Sequence, residues 1–251
     1  GTIGRVTVSD LKTSGDVVFA DAVRFVLKEK DPDPLTLDWA VQGASQSWLP
    51  SSGDNVRGMA WNHQTGHVLV ASRAGSNRIV VLNGQTGAYI NDLTAPAAGY
   101  AGGTHVLCKV QASPSGRIIA TNLDITGTDV RVYLWDSEDA QGQIYIPSNQ
   151  PGNRIGDILA VNEDNQYIKA LIGTNFGMSA TDDTRKFLLV QYDKATRQWS
   201  DSFQNFTMHH YESGGVVYQG YALASLQLQS DGSFYGNGSV SGLLFYKSDG
   251  T

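Results

Sequence analysis

The chain has one cysteine, three methionines, no run of basic residues and no apolar stretch near the length of a membrane span. A single thiol, Cys108, rules out an intrachain disulfide framework; it lies in Val106-Leu107-Cys108-Lys109-Val110, where it reads as a small buried hydrophobe. A hydrocarbon core needs about 18 or more consecutive apolar residues, so membrane insertion is not expected. With 18 Lys and Arg against 24 Asp and Glu, a net charge of −6, nothing supplies the counterion release that drives nucleic-acid binding. The Leu/Ala/Glu/Lys periodicity of long helices is also missing. What remains in its place is 28 glycines and short β-branched runs, the composition of an all-β chain with many turns.

The most regular stretch is Val56 to Leu93. Its turns fall at Asn62-His63-Gln64-Thr65-Gly66, Arg73-Ala74-Gly75-Ser76-Asn77 and Asn83-Gly84-Gln85-Thr86-Gly87, each with a glycine that provides the positive φ of a tight reversal. Between them, Val68-Leu69-Val70 and Ile79-Val80-Val81-Leu82 are too short for helices and read as strands. The first turn recurs in Ser113-Pro114-Ser115-Gly116, Asn162-Glu163-Asp164-Asn165 and Ser230-Asp231-Gly232, spaced by 50, 49 and 67 residues when measured between Gly66, Gly116, Asn165 and Gly232. Third strands recur as Val130–Trp135, Phe187–Tyr192 and Leu243–Tyr246, and fourth strands at Ala88–Ile90, Gln143–Ile146 and Gln198–Phe203. A repeat of this period is the signature of a β-propeller. We therefore expect about four four-stranded blades over residues 35–251. The last blade stops at Lys247–Thr251, before its outer strand, so an N-terminal strand (Leu35–Val41, or Ile3–Val8) or a strand from a neighbouring chain is expected to complete it. A longer chain with more blades is the alternative.

Ahead of the repeats, Gly1–Leu27 holds two strand-like runs, too few to stand alone. Lys28–Pro34, with Pro32 and Pro34, is a stiff linker. The run Val17-Val18-Phe19-Ala20-Asp21-Ala22-Val23-Arg24-Phe25-Val26 resembles the closing strands of a golvesin-like (xanthan-lyase-associated) β-sandwich domain. That resemblance implies that residues 1–27 are the tail of such a domain, or strands donated to another sheet. The repeats, through Arg57-Gly58-Met59-Ala60-Trp61-Asn62, Thr65-Gly66-His67, Ser72-Arg73 and Arg154-Ile155-Gly156-Asp157, resemble an uncharacterised family of bacterial propellers found in secreted multidomain proteins. It implies a fold and a setting, but no activity.

No Gly-x-Ser-x-Gly elbow, phosphate loop or His-Glu-x-x-His is present, and no catalytic residue, metal ligand or cofactor is assigned. His209-His210-Tyr211-Glu212 lies in the insertion that lengthens the third spacing, and loops on rigid scaffolds carry binding function. A lyase-like set of Tyr211, His209 and Arg154 would be arbitrary. Trp48, in the loop before Val56, and Tyr211 are the aromatics best placed for exposure and sugar stacking, so Trp48, His209 and Tyr211 are the ligand-binding candidates. Asn205-Phe206-Thr207 and Asn237-Gly238-Ser239 are glycosylation sequons, with Asn205 and Asn237 as acceptors. Acidic residues crowd the turns, and Asp136-Ser137-Glu138-Asp139-Ala140-Gln141-Gly142 loosely imitates a calcium loop; capping of backbone N–H groups is the simpler role.

The expected function is that of a non-catalytic structural or adhesive module of a larger bacterial cell-surface or filament-forming protein, extracellular, assembling by strand complementation with copies of itself or with neighbouring domains. The alternative is a polysaccharide-binding module, or a polysaccharide-active lyase or hydrolase.

Overall fold

The structure is a computed structural model and describes residues 39–51, 53, 55–173, 184–207, 211–213, 216–218, 223–229, 231, 233–238 and 242–246. Among these residues it is all-β. The first sheet is an antiparallel meander of β1 (Val56–Asn62), β2 (His67–Ser72), β3 (Arg78–Asn83) and β4 (Tyr89–Asp92). The second has β5 (His105–Ala112), β6 (Ile118–Leu123), β7 (Val132–Trp135) and β8 (Gln143–Tyr145), and the third β9 (Ile158–Glu163), β10 (Tyr167–Gly173), β11 (Thr184–Asp193) and β12 (Gln198–Thr207). A short hairpin, β13 (Tyr211–Ser213) and β14 (Val216–Tyr218), precedes a three-stranded sheet of β15 (Leu223–Leu228), β16 (Phe234–Gly238) and β17 (Gly242–Tyr246).

Side chains in the turns fix the meanders. Asn62 Oδ1 accepts from the Gln64 amide, and Gly66 takes a φ of +70° as it donates to Asn62 O. Asn83 Oδ1 accepts from the amides of Gln85 and Thr86. Asp164 does the same for Gln166 and Tyr167, Asp193 for Ala195 and Thr196, and Asp231 for Ser233. These short side chains satisfy turn N–H groups that no strand reaches, which is why acidic residues and asparagine collect there.

The sheets stack face on face. Leu69, Ile79 and Val81 of the first meet Ile118, Ala120, Tyr133 and Trp135 of the second. The second turns its other face, Ile119, Val132 and Leu134, onto Ile168, Ile172, Leu188 and Val190 of the third. The third places Ile158, Ala160, Leu171 and Phe187 against Leu228 and Phe234. The middle sheet is thus covered on both faces: β6 and β7 are buried at every position, so they show no alternation of apolar and polar residues, and the two polar residues of β6, Thr121 and Asn122, are buried with the rest. Each such aliphatic side chain contributes about 1.5–3 kcal/mol on full burial. The first strands of the sheets run side by side, with β5 against both β1 and β9, and β9 against β15.

The outer face of the first sheet, Val70, Val80 and Leu82, is covered by chain that belongs to no sheet: Trp48 packs on it with Val41 and Leu49. Trp39 Nε1 donates to Gly84 O at 3.1 Å, and Ser72 Oγ donates to Trp48 O at 2.6 Å. Two expectations are corrected here. Trp39–Val41, the described part of the expected strand Leu35–Val41, is in no strand. Trp48 is only 4% exposed, because an apolar sheet face with no sheet beyond it recruits the largest nearby side chain to cover it. The regions 1–27 and 28–34 lie outside the described residues.

Candidate functional site

The first strand of each sheet begins at the same end of the stack, opposite the turns at Gln64 and Pro114, which are joined by a hydrogen bond from Gln64 Nε2 to Pro114 O. At that entry end the pairing is irregular. In β1, Val56 faces Ser72 and Gly58 faces Ala71, so Arg57 is an extra residue. In β5, His105 faces Leu123 and Lys109 faces Thr121, so Val106, Leu107 and Cys108 stand opposite Asn122 alone. In β15 the irregularity falls at Ala224. Bulges of this kind bend the strand and re-aim a side chain.

Gly58 permits a close approach: a Cβ there would lie 2.8 Å from Lys109 Cα and 2.9 Å from Cys108 O. Arg73 is seated beside the start of β1 by its amide, which donates to Asn55 O at 2.8 Å. The third sheet contributes Arg154 and Asp157. The Asp157 side chain is fully buried and accepts from Arg154 Nε at 2.8 Å and from Nη2 at 2.7 Å, a two-pronged ion pair. The loop that carries the pair is pinned on both sides, by Asp124 and Ile155 exchanging two backbone bonds of 2.9 Å and by the Gly156 amide donating to Gly173 O. Gly156 has a φ of +101°, and a Cβ on it would meet Asn122 O.

Cys108 lies beneath this group at 1% exposure. Burial pushes its thiol up; the charges of Lys109, Arg57 and Arg73 act against that, and Asp157 acts with it. Arg154 is held above its usual value by the Asp157 hydrogen bonds, with a contribution from Cys108. A thiol that is buried and held above its usual value stays protonated, and as such it is unreactive. Arg57 and Lys109 lie on β1 and β5 and Arg73 follows β2 at this end, in a protein whose net charge is −6. Arg57, Arg73, Lys109 and Arg154 all keep part of their surface in solvent. Among the described residues, no group of three or more His, Cys, Asp and Glu is placed to hold a metal.

Of the residues singled out in the sequence, Trp48 is buried in the cover of the first sheet. His209 lies outside the described residues, and Tyr211 opens the hairpin strand β13. Asn205 and Asn237 sit in paired strands rather than turns, opposite Lys186 and opposite Ser225 and Leu243. Other aromatic residues are used in packing: Tyr145 stacks on Trp199 at 4.8 Å and 6°, and Trp135 Nε1 donates to Thr94 O at 2.8 Å. The loosely calcium-like turn holds sheets together, since Glu138 accepts from Asn62 and Thr65 of the first sheet and Asp136 pairs with Arg117 and Arg197. The entry-end cluster itself went unassigned in the sequence. Its residues are scattered from position 57 to position 157, and the elements that carry them are neighbours only because the first strands pack together. A clue was present in Arg57-Gly58 within β1, Ser72-Arg73 at the end of β2 and Arg154-Ile155-Gly156-Asp157 just before β9.

No protein-family model matches the chain, and no curated protein matches it. Among solved structures it is similar to a DUF4623 family protein from Bacteroides eggerthii, with a TM-score of 0.53 and 15% identity, over 78% of this chain and 43% of that one. It also aligns with the extracellular domain of a protein from Bacteroides thetaiotaomicron described as a one-component system, with a TM-score of 0.41 and 13% identity, over 78% of this chain and 21% of that one. The chain thus spans less than half the length of the first of these structures, and the likeness to it is one of fold.

Proposed function

We propose that the four sheets are successive blades of a β-propeller, and that the chain is a non-catalytic extracellular module with a structural or adhesive role in a larger bacterial cell-surface or filament protein. The supporting observation is the stacking pattern: each meander buries one face on the next, and the first strands lie side by side as the innermost strands of blades do. The last sheet has three strands among the described residues, with β17 at its edge. An edge strand offers a row of backbone N–H and C=O groups that an added strand can pair. Assembly by strand complementation, with residues 1–27 or a neighbouring copy as donor, follows from that edge.

The test compares sedimentation of the full chain with that of a variant lacking residues 1–27, with far-UV circular dichroism reporting the β content of each. The expected outcome is a folded variant that no longer forms the larger species. A variant that assembles as the full chain does would overturn strand donation by this segment.

A further inference from the structure

We propose that residues 39–50 form an exchangeable strap, and that two copies of this chain associate by each laying its strap on the first sheet of the other. This route to self-assembly is separate from strand donation by residues 1–27 and does not rest on it.

The strap is folded within itself. The Ser45 amide and Oγ both donate to Gln42 O, the Ala44 amide donates to Leu49 O, and the Leu49 amide donates to Gln46 O. Its apolar side chains, Val41, Trp48 and Leu49, lie in one cluster whose other members, from Val56 of β1 to Leu82 of β3, all belong to the first sheet. The hydrogen bonds it makes beyond itself end in the same place. Trp39 Nε1 donates to Gly84 O in the turn after β3, and Ser72 Oγ of β2 donates to Trp48 O. The Trp39 ring also lies against Gly87 of that turn, where a Cβ would come within 2.4 Å of it. Among the described residues, then, these contacts all fall on one sheet, and the identical sheet of a second copy offers every one of them. Exchange of an identical element between copies is a low-cost route to a dimer for that reason.

Two features ease the strap's release. Trp48 Nε1 is buried with no hydrogen-bond partner among the described residues, so seating the indole strands a donor and offsets part of what its burial contributes. The joint between the strap and β1 is Ser51-Ser52-Gly53-Asp54-Asn55, without an apolar residue to anchor it. Gly53 holds a φ of +90° there, a conformation that residues with a side chain rarely adopt. Folding the strap back onto its own sheet uses that bend. An extended joint of this length reaches roughly 17 Å, more than the spacing of about 10 Å between packed sheets, and delivers the strap to a neighbour.

Sedimentation velocity of the full chain over a series of concentrations, with native mass spectrometry to tell dimers from larger species, tests the exchange. The dimer is expected to grow with concentration in the parent. Proline fixes φ near −65°, so Gly53→Pro penalises the folded-back strap and not the exchanged one; the dimer association constant should rise about tenfold or more. Trp48→Ala is expected to leave a folded monomer at every concentration. In the variant lacking residues 1–27, where donation by that segment does not occur, the dimer should persist, so the two routes fail separately. Far-UV circular dichroism reports folding, and Leu49→Ser replaces Trp48→Ala should the latter fail to fold. The absence of dimer in both parent and Gly53→Pro, an association constant unchanged by Gly53→Pro, a dimer retained in the folded strap variant, or a dimer lost with residues 1–27 would each overturn the proposal.

Discussion

Glu138 Oε2 lies 2.6 Å from Nδ1 of His67, across the boundary between the second sheet and the first. The other oxygen of the same carboxylate accepts from Asn62 Nδ2 at 2.7 Å and from Thr65 Oγ1 at 2.6 Å. One acidic side chain, 9% exposed, therefore grips the whole β1–β2 turn. Hydrogen bonds to an ionised acceptor are the stronger kind, and leaving buried donors without an acceptor is costly. The apolar core glues the sheet faces along their length; this clasp sets how far one sheet can slide over the other.

Glu138→Ala is expected to lower stability by about 1–3 kcal/mol, since it strands donors on Asn62, Thr65 and His67. Urea unfolding of the two proteins measures it. A loss below about 0.5 kcal/mol, the range of an ordinary surface substitution, would mean the turn is held by other contacts.

Acid should weaken the boundary between the second and third sheets. Burial alone would push the Glu163 carboxyl up, but bonds from Ser115, Ser113 and Lys194 outweigh it and hold the carboxyl at about 2, against an ordinary 4.5. A group lowered in the folded protein contributes its stabilisation above the unfolded value and loses it as pH falls through the folded one. The window thus runs from 4.5 down to about 2. Asp164, also held at about 2 by the Tyr167 amide and Lys169, acts over the same acid range. Urea midpoints taken from pH 6 to 2.5 should show a shallower acid decline for Glu163→Gln than for the parent, although not a flat one, because Asp164 remains.

Trp48→Ala removes the largest part of the cover over Val70, Val80 and Leu82. Truncating a buried large aromatic costs about 3–5 kcal/mol, and a fall in the thermal midpoint with increased binding of a hydrophobic dye is the expected reading. Unchanged stability would show that the segment from 39 to 50 contributes little to holding the first sheet.

Gly58→Val tests the close approach of β1 to β5. The first added atom would lie 2.8 Å from Lys109 Cα, and backbone has little room to yield. Overpacking at such a contact costs about 1–3 kcal/mol. Urea unfolding of the variant measures the loss, and unchanged stability would show that the contact between β1 and β5 yields without cost.

The strands and turns were legible because their determinants are local. Gly66, Asn83 and Gly87 each mark a reversal within a few residues of the runs they join, and the strands of the four larger sheets fall on the runs that the repeat predicts, while the hairpin of β13 and β14 lies in the stretch read as an insertion. Asp164, Asp193 and Asp231 cap turn amides, as acidic turn residues should. The cover of the first sheet was not legible. Trp48 sits among Gln, Ser and Pro, where a loop tryptophan reads as exposed, and its burial depends on the sheet face left over after the second sheet has taken the other side. The entry-end site was hidden for a related reason. A bulge at Arg57 depends on how Val56 and Gly58 register with β2, and the approach of Gly58 to Lys109 depends on which strands lie side by side. Neither relation is written in a window of ten residues.

The cover over the first sheet gives the stack a polarity that its repeats lack. One face of the first sheet meets a sheet of the same kind, whereas the described residues against Val70, Val80 and Leu82 are irregular chain carrying Trp48, Val41 and Leu49. The two faces of one four-stranded unit are therefore buried by partners of different kinds, and a substitution in residues 39–50 acts on the first sheet alone while one at Leu69 or Ile79 is felt in two.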